Sequence, residues 1–379
     1  MKKEILTESN EFKNQHAPEP EPELEPESEP EPELEPESEP ESKFEQEILT
    51  DPNEIRYALG DIKYDEIWSM YKKSLSTFWI VDEIDFSKDR EHYEKCSDNI
   101  KHFIIHVLAF FAASDTIVNI NLEENFIGEI TIPEAKFFYT YQAANENIHS
   151  ETYSLMINTL IRDKKEKKNI FNAVENYDCI KEKKNWAEKW IWADKNIKTP
   201  PIQLLAQRLI AFAIVEGVFF SGSFCAIYWI KHNFTENFMP GLTSSNEFIA
   251  RDEGLHTEFA CLLYKKYISN KLPKEKVYEM FEEAIKLEKN FIIDALPCKL
   301  IGMNSEHMIK YIKFVADRLL VSLGYPKKYD IKECPFPFME SISLQGKSNF
   351  FEERETSYQK YSSNNNLEDD NIESFEMDF

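Results

Sequence analysis

Glycine is scarce in this chain, at 9 of 379 residues, while apolar residues recur in long periodic stretches. Sheets built from tight hairpins lean on glycine, so this balance disfavours a turn-rich β architecture and favours helices. Paired cysteine motifs are missing as well. Cys96, Cys179, Cys225, Cys261, Cys298 and Cys334 are scattered with no C-x-x-C, and no signal peptide is read ahead of them. They are expected to be reduced thiols in a cytosolic or nuclear compartment rather than a disulfide framework, and the expected localisation is cytoplasmic. A basic stripe is also absent. The net charge is −25, and twelve of those charges are the glutamates at every odd position from Glu19 to Glu41. The remainder holds 57 acidic against 44 basic residues, a net of −13. Such a surface suits neither nucleic acid nor an anionic membrane.

What is present is enough apolar material for a large core, 42% of the chain. Residues 18–42 stand apart: "EPEPELEPES" at 19–28 recurs unchanged at 29–38. Alternating Glu with frequent Pro cannot bury a core, so 1–45 reads as a disordered acidic extension without a catalytic role. From 46 to 344 the pattern is that of one folded domain. Helices are expected over 65–77, 98–126, 133–162, 165–176, 203–230, 244–270, 274–294 and 303–322, with Pro133 and Pro273 in first turns. Residues 345–379 turn polar and read as a flexible C-terminal tail.

The run "LIAFAIVEGVFFSGSFCAIYWI" at 209–230 is long enough to span a bilayer. Glu216 lies inside it, and a charge at mid-bilayer costs about 2.5–3.5 kcal/mol even on the lenient scale. The S-G-S interruption and the lack of a second such segment also argue for the central helix of a helical bundle, with no membrane partner.

"ENIHSETYS" at 146–154 places Glu146, His149 and Tyr153 three and four residues apart, on one helical face. Gln142 and Tyr139 extend that polar stripe, where a packed helix should carry Leu and Ile. A second Glu-x-x-His occurs at Glu253 and His256, in "RDEGLH". Asp115 and Glu216 sit singly in two other apolar helices. Two Glu-x-x-His helices plus two helices with one carboxylate each match the ligand arrangement of ferritin-like dimetal bundles. Four crowded carboxylates balance two divalent ions, or two trivalent ions with a bridging oxide. Oxygen ligands with two imidazoles and no thiolate point to iron or manganese. Tyr153, one turn beyond His149, should lie near the metals. Phe220 and Phe224 follow Glu216 by four and eight, Ile249 precedes Glu253 by four, and the three are expected to wall a dry pocket around the phenol.

These residues make the chain similar to the small, radical-generating subunit of class I ribonucleotide reductase, of the eukaryotic and large-virus kind. The resemblance runs from about residue 47 to the C-terminus, on "FWIVDEIDFSKD", "HVLAFFAASD", "ENIHSETYS", "VEGVFFSGSF", "RDEGLH", "LIGMN", "FVADRL" and "NFFE". It implies that Asp115, Glu146 and His149 hold one metal and Glu216, Glu253 and His256 the other, as two irons per chain. It implies a stable radical on Tyr153, and a route through Trp79, Asp252 and His149 to the surface. Tyr358 in the tail would pass the radical on. "KHNFTENFMPGL" looks longer than usual, and the C-terminus "SFEMDF" departs from the eukaryotic tail.

The expected fold is therefore an all-α, ferritin-like bundle. The expected function is to make a tyrosyl radical with oxygen and lend it to a large subunit that reduces ribonucleotides. That partner would dock on the C-terminal tail, and the chain itself would pair as a homodimer. The competing reading is a ferritin-like dimetal oxidase with no reductase partner, which needs neither the Trp79–Asp252 route nor Tyr358.

Overall fold

The computed structural model describes residues 44–192, 199–234, 237–295, 303 and 305–339. Among them there is no strand, and the all-α expectation holds. The helices are α1 (Asp65–Leu75), α2 (Asp89–Glu94), α3 (Asp98–Asn121), α4 (Pro133–Leu160), α5 (Lys164–Phe171), α6 (Ala173–Asn176), α7 (Asp178–Ile191), α8 (Leu204–Ile214), α9 (Ser221–Asn233), α10 (Pro240–Tyr267), α11 (Lys274–Ala295) and α12 (Ser305–Leu323). Two turns of π-helix interrupt them. Leu122–Phe126 continues α3, and Val215–Phe219 joins α8 to α9.

The centre of the bundle is α3 against α4, α4 against α10, and α10 against α8 and α9. Aromatic rings close the fourth side, where Phe110 and Phe111 of α3 meet Phe220 edge-on at 5.5 Å. Around this core, α1 covers α4 and α10, α7 packs on α8 and α11, and α12 packs on α10 and α11.

Local chemistry sets the ends of the two longest helices. Pro133 and Pro240 each occupy a first turn, where a missing N–H costs nothing. Met239, the residue before α10, is left-handed (φ 45°) and its side chain makes no cap. Asp89 of α2 supplies the cap instead, accepting from Gly241 N at 2.8 Å and Leu242 N at 2.7 Å. An acid at a helix N-terminus satisfies orphan donors and meets the positive end of the dipole.

Several expectations need correction. Helix α7 was not foreseen. Its buried face is Ile180, Lys183, Trp186, Ala187, Trp190 and Ile191, and a lysine in mid-stripe breaks the apolar pattern. The helix expected over 165–176 breaks at Asn172 into α5 and α6. Helix α10 begins at Pro240 rather than 244, so "KHNFTENFMPGL" leaves only a short link between Asn233 and Pro240. The π turns were invisible to a 3.6-residue period. A second segment long and apolar enough to cross a membrane does exist: Asp98–Glu129, beside Pro201–Asn233. The latter is almost wholly buried by protein, as a central bundle helix should be. Residues 1–43 of the extension, the 345–379 tail, Tyr358 and "NFFE" lie outside the described residues, as does most of "LIGMN".

Candidate metal centre

Glu146 and His149 come from α4, Glu253 and His256 from α10, Asp115 from α3, and Glu216 from the π turn between α8 and α9. All six are buried. Each glutamate of the two Glu-x-x-His pairs offers one oxygen to each histidine. Glu146 Oε2 lies 3.2 Å from His149 Nδ1, and its Oε1 lies 3.1 Å from His256 Nδ1. Glu253 Oε1 lies 3.1 Å from His149 Nδ1, and its Oε2 lies 3.4 Å from His256 Nδ1. Glu216 Oε2 stands on the His256 side, at 3.4 Å. Donor atoms of Glu146, Glu216, Glu253 and His256 all fall within 4.8 Å of one another. Asp115 sits toward the other end, where Glu146, His149 and Glu253 are the charges that act on it.

The donor set fits cations. Asp115 Oδ2, Glu146 Oε1, Glu216 Oε2, both Glu253 oxygens and His256 Nδ1 are buried without a hydrogen-bond partner. Leaving one such atom unsatisfied costs about 1–3 kcal/mol, and more when charged. Five of them belong to Glu146, Glu216, Glu253 and His256, whose donor atoms gather closely enough to hold a metal ion. Burial, reinforced by the charge of Glu146 on Asp115 and of Glu253 on Glu216, pushes those two carboxyls well above the usual range. Burial would lower both imidazoles, but the carboxylates facing them raise His149 and His256 well above 6.5. Burial also opposes ionisation of Glu146, yet the two imidazoles beside it, His149 foremost, bring it down to about 2. Metal ions at these atoms would compete with protons for them.

Tyr153 is buried one turn past His149, its ring stacked on Phe111 at 4.8 Å and 9°. Phe111 in turn stacks on Phe224 at 5.0 Å and meets Phe220 edge-on, and those two lie 6.1 Å apart. Phe220 and Phe224 therefore reach the phenol's surroundings through Phe111. The sequence analysis missed this ring, although it precedes Asp115 by four and so shares its face. Ile249 is buried on α10. Burial first, then the charge of Asp115, raises the Tyr153 phenol well above its ordinary value.

Behind His149 runs a polar chain. Its Nε2 lies 3.3 Å from Asp252 Oδ2, and the same oxygen accepts from Trp79 Nε1 at 2.7 Å. The indole lies nearly parallel to the imidazole, centroids 6.1 Å apart. Asp252 Oδ1 accepts from Arg251 Nε at 3.2 Å and Nη2 at 3.0 Å, with Thr77 Oγ1 at 3.5 Å. Burial would raise the Asp252 carboxyl, but Arg251, His149 and Trp79 hold it below the usual range. Arg251 and Thr77 escaped the sequence analysis, as did Gln142 as a partner of Glu216 Oε1 at 2.9 Å.

Comparison with known proteins agrees with this geometry. The family model for the ribonucleotide reductase small chain matches residues 56–335. The ribonucleoside-diphosphate reductase small chain of Trypanosoma brucei brucei is 54% identical over 316 residues, covering 83% of this chain and 90% of that one. That of Yaba-like disease virus is 53% identical over 333 residues, covering 88% and 98%. Among solved structures, the ribonucleotide reductase Rnr4 homodimer of Saccharomyces cerevisiae aligns with a TM-score of 0.66 at 35% identity, covering 79% of this chain and 93% of that one. With a buried carboxylate–histidine cluster that fits a dimetal site, an all-α bundle and a family model spanning most of its length, the chain belongs to the ribonucleotide reductase small chain family.

Proposed function

We propose that this chain is the radical-generating small subunit of a cytoplasmic ribonucleoside-diphosphate reductase, with Tyr153 as its radical residue. Asp115, Glu146, His149, Glu216, Glu253 and His256 would hold two ions, iron or manganese, with Glu146 and Glu253 each facing both histidines. When bound and reduced, such ions supply the activation of dioxygen that makes a one-electron oxidant. Tyr153, kept a neutral phenol by burial, would give one electron to that oxidant and its hydroxyl proton to the carboxylate of Asp115, the charge that acts on it most, leaving a neutral phenoxyl. Phe111, Phe220 and Phe224 exclude the water that would quench it. Asp252 holds His149 Nε2 and Trp79 Nε1 on one carboxylate oxygen, so charge and proton can move between the centre and the indole together.

The observation that carries this reading is the Trp79–Asp252–His149 chain. An oxidase acting alone has no use for a buried indole hydrogen-bonded to a carboxylate behind its ligand. The domain is taken as 46–344. Residues 345–379 would bring Tyr358 to the large subunit and dock there, the extension 1–45 would stay outside the chemistry, and the chain would pair with a second copy. An electron paramagnetic resonance spectrum of iron-loaded, oxygen-exposed protein tests the proposal. A tyrosyl signal that vanishes in Tyr153→Phe supports it; a signal unchanged in that variant refutes it.

A further inference from the structure

A second buried charge cluster stands apart from the metal ligands. Lys183 of α7 and Glu288 of α11 are both almost wholly buried, with Nζ 2.5 Å from Oε2. The ammonium lies 3.7 Å from the ring centroid of Phe110, 3.8 Å from Phe291 and 5.2 Å from Phe219. Nζ also donates to the carbonyl of Phe219 at 3.5 Å. Phe219 is the last residue of the π turn that carries Glu216.

Stability alone is a weak reason for such a pair. Desolvating two charges costs about what their attraction returns, and apolar replacements of similar volume are often neutral or better. Its placement says more. A π turn inserts one residue into a helix and interrupts the regular ladder of carbonyl acceptors and N–H donors. Lys183 supplies a donor at the end of that turn. Glu288 presses on the start of α9 from the other helix. A Cβ added at Gly222 would stand 2.6 Å from Glu288 Oε1, so the carboxylate occupies space that only glycine leaves. Between these two contacts lies Phe220, which packs on Phe110 and Phe111, and three residues before Phe219 lies Glu216.

We propose that Lys183 and Glu288 are positioning residues that clamp the π turn from two helices, aiming Glu216 at the metal centre and Phe220 at the wall of the Tyr153 pocket. This rests on the dimetal reading above. Neither residue touches the reacting atoms.

The test uses Mn(II) alone as the probe, counted by electron paramagnetic resonance and titration calorimetry on the full chain, together with the lifetime of the Tyr153 radical after iron loading. Lys183→Met and Glu288→Leu each leave one charge buried alone and should lower the melting temperature. The double variant Lys183→Met/Glu288→Leu should recover that melting temperature. It should nevertheless bind its second Mn(II) about 10- to 100-fold more weakly, the usual effect of removing support from behind a ligand, and its radical should decay faster. Wild-type Mn(II) affinity and radical lifetime in the stable double variant would overturn the proposal. Should the double variant not fold, Gly222→Ala answers the same question with both charges kept: crowding Glu288 should weaken the second Mn(II) site, and unchanged binding would overturn the clamp. If the unmodified chain itself binds fewer than two Mn(II), the dimetal reading fails first, and that result is separable from failure of the variants.

Discussion

Under the proposed function, replacing Trp79 by Phe should separate the relay from the metal centre. The substitution removes one N–H, which donates at 2.7 Å to the buried carboxylate of Asp252. A hydrogen bond to a charged group contributes about 1.5–3 kcal/mol. Trimming an indole to a phenyl leaves a small void worth roughly 1 kcal/mol more, by analogy with other core truncations. The total of about 2.5–4 kcal/mol is smaller than the roughly 5–15 kcal/mol that holds a domain together, so the variant should fold. Its melting temperature should fall by several degrees, about 2–4 °C for each kcal/mol. Asp252 keeps Arg251 and His149 as partners, so the ligand His149 stays in place. Calorimetry, metal analysis, the radical spectrum and turnover with the large subunit should then give a split result. Stability drops modestly, two metals and the Tyr153 radical remain, and turnover falls to background. Normal turnover would remove Trp79 from the route. Loss of the metals would show that Trp79 builds the site rather than serving it.

Asp252→Asn should behave likewise, keeping fold and metals while suppressing turnover, because the amide cannot hold His149 and Trp79 as a carboxylate does; full activity would contradict this. Glu253→Ala takes away an anion within 3.1–3.4 Å of both histidines and should lose at least one metal; full occupancy by metal analysis would refute the ligand assignment. The Tyr153 phenol is raised well above 10.0, so the folded chain holds that proton more tightly than the unfolded chain does. Its contribution to stability is therefore present below pH 10 and lost above it. An alkaline absorbance titration should show no tyrosinate from Tyr153 before unfolding, judged by difference against Tyr153→Phe. A peptide of residues 371–379, which carries Phe375, Met377 and Phe379, should compete with the intact chain and inhibit the reductase. Deleting those residues should abolish turnover but spare the radical, and full turnover at low protein concentration would sink the docking role.

The six buried donor residues were legible because helical spacing is local. Two Glu-x-x-His pairs and two acids in apolar helices can be seen without any knowledge of the fold. That Glu146 and Glu253 each address both histidines could not be read, since it depends on how α4 and α10 face one another. Trp79 and Asp252 are 173 residues apart, and family resemblance rather than periodicity brought them together. Phe111 was within reach, four residues before Asp115, but one phenylalanine in "HVLAFFAASD" looks like any other core residue. Lys183 concealed the whole of α7, because a buried lysine reads as solvent-facing until Glu288 and three phenylalanine rings are found around it.

The two ends of the metal centre look alike in ligands and differ in what stands behind them. His149 is backed by the Asp252 carboxylate. The Nε2 of His256 is buried without a partner, with the ring of Phe138 edge-on at 6.4 Å and Phe259 stacked on Phe138. A quasi-twofold core is thus insulated at one pole and wired at the other. Tyr153 also belongs to the wired pole, since Asp115 is the charge that weighs most on it. If Tyr153 carries the radical as proposed, charge leaving the phenol would meet a hydrogen-bonded carboxylate and indole on one side and an apolar wall on the other. Under that proposal, the direction of the current would be set by what the protein packs behind two otherwise equivalent imidazoles.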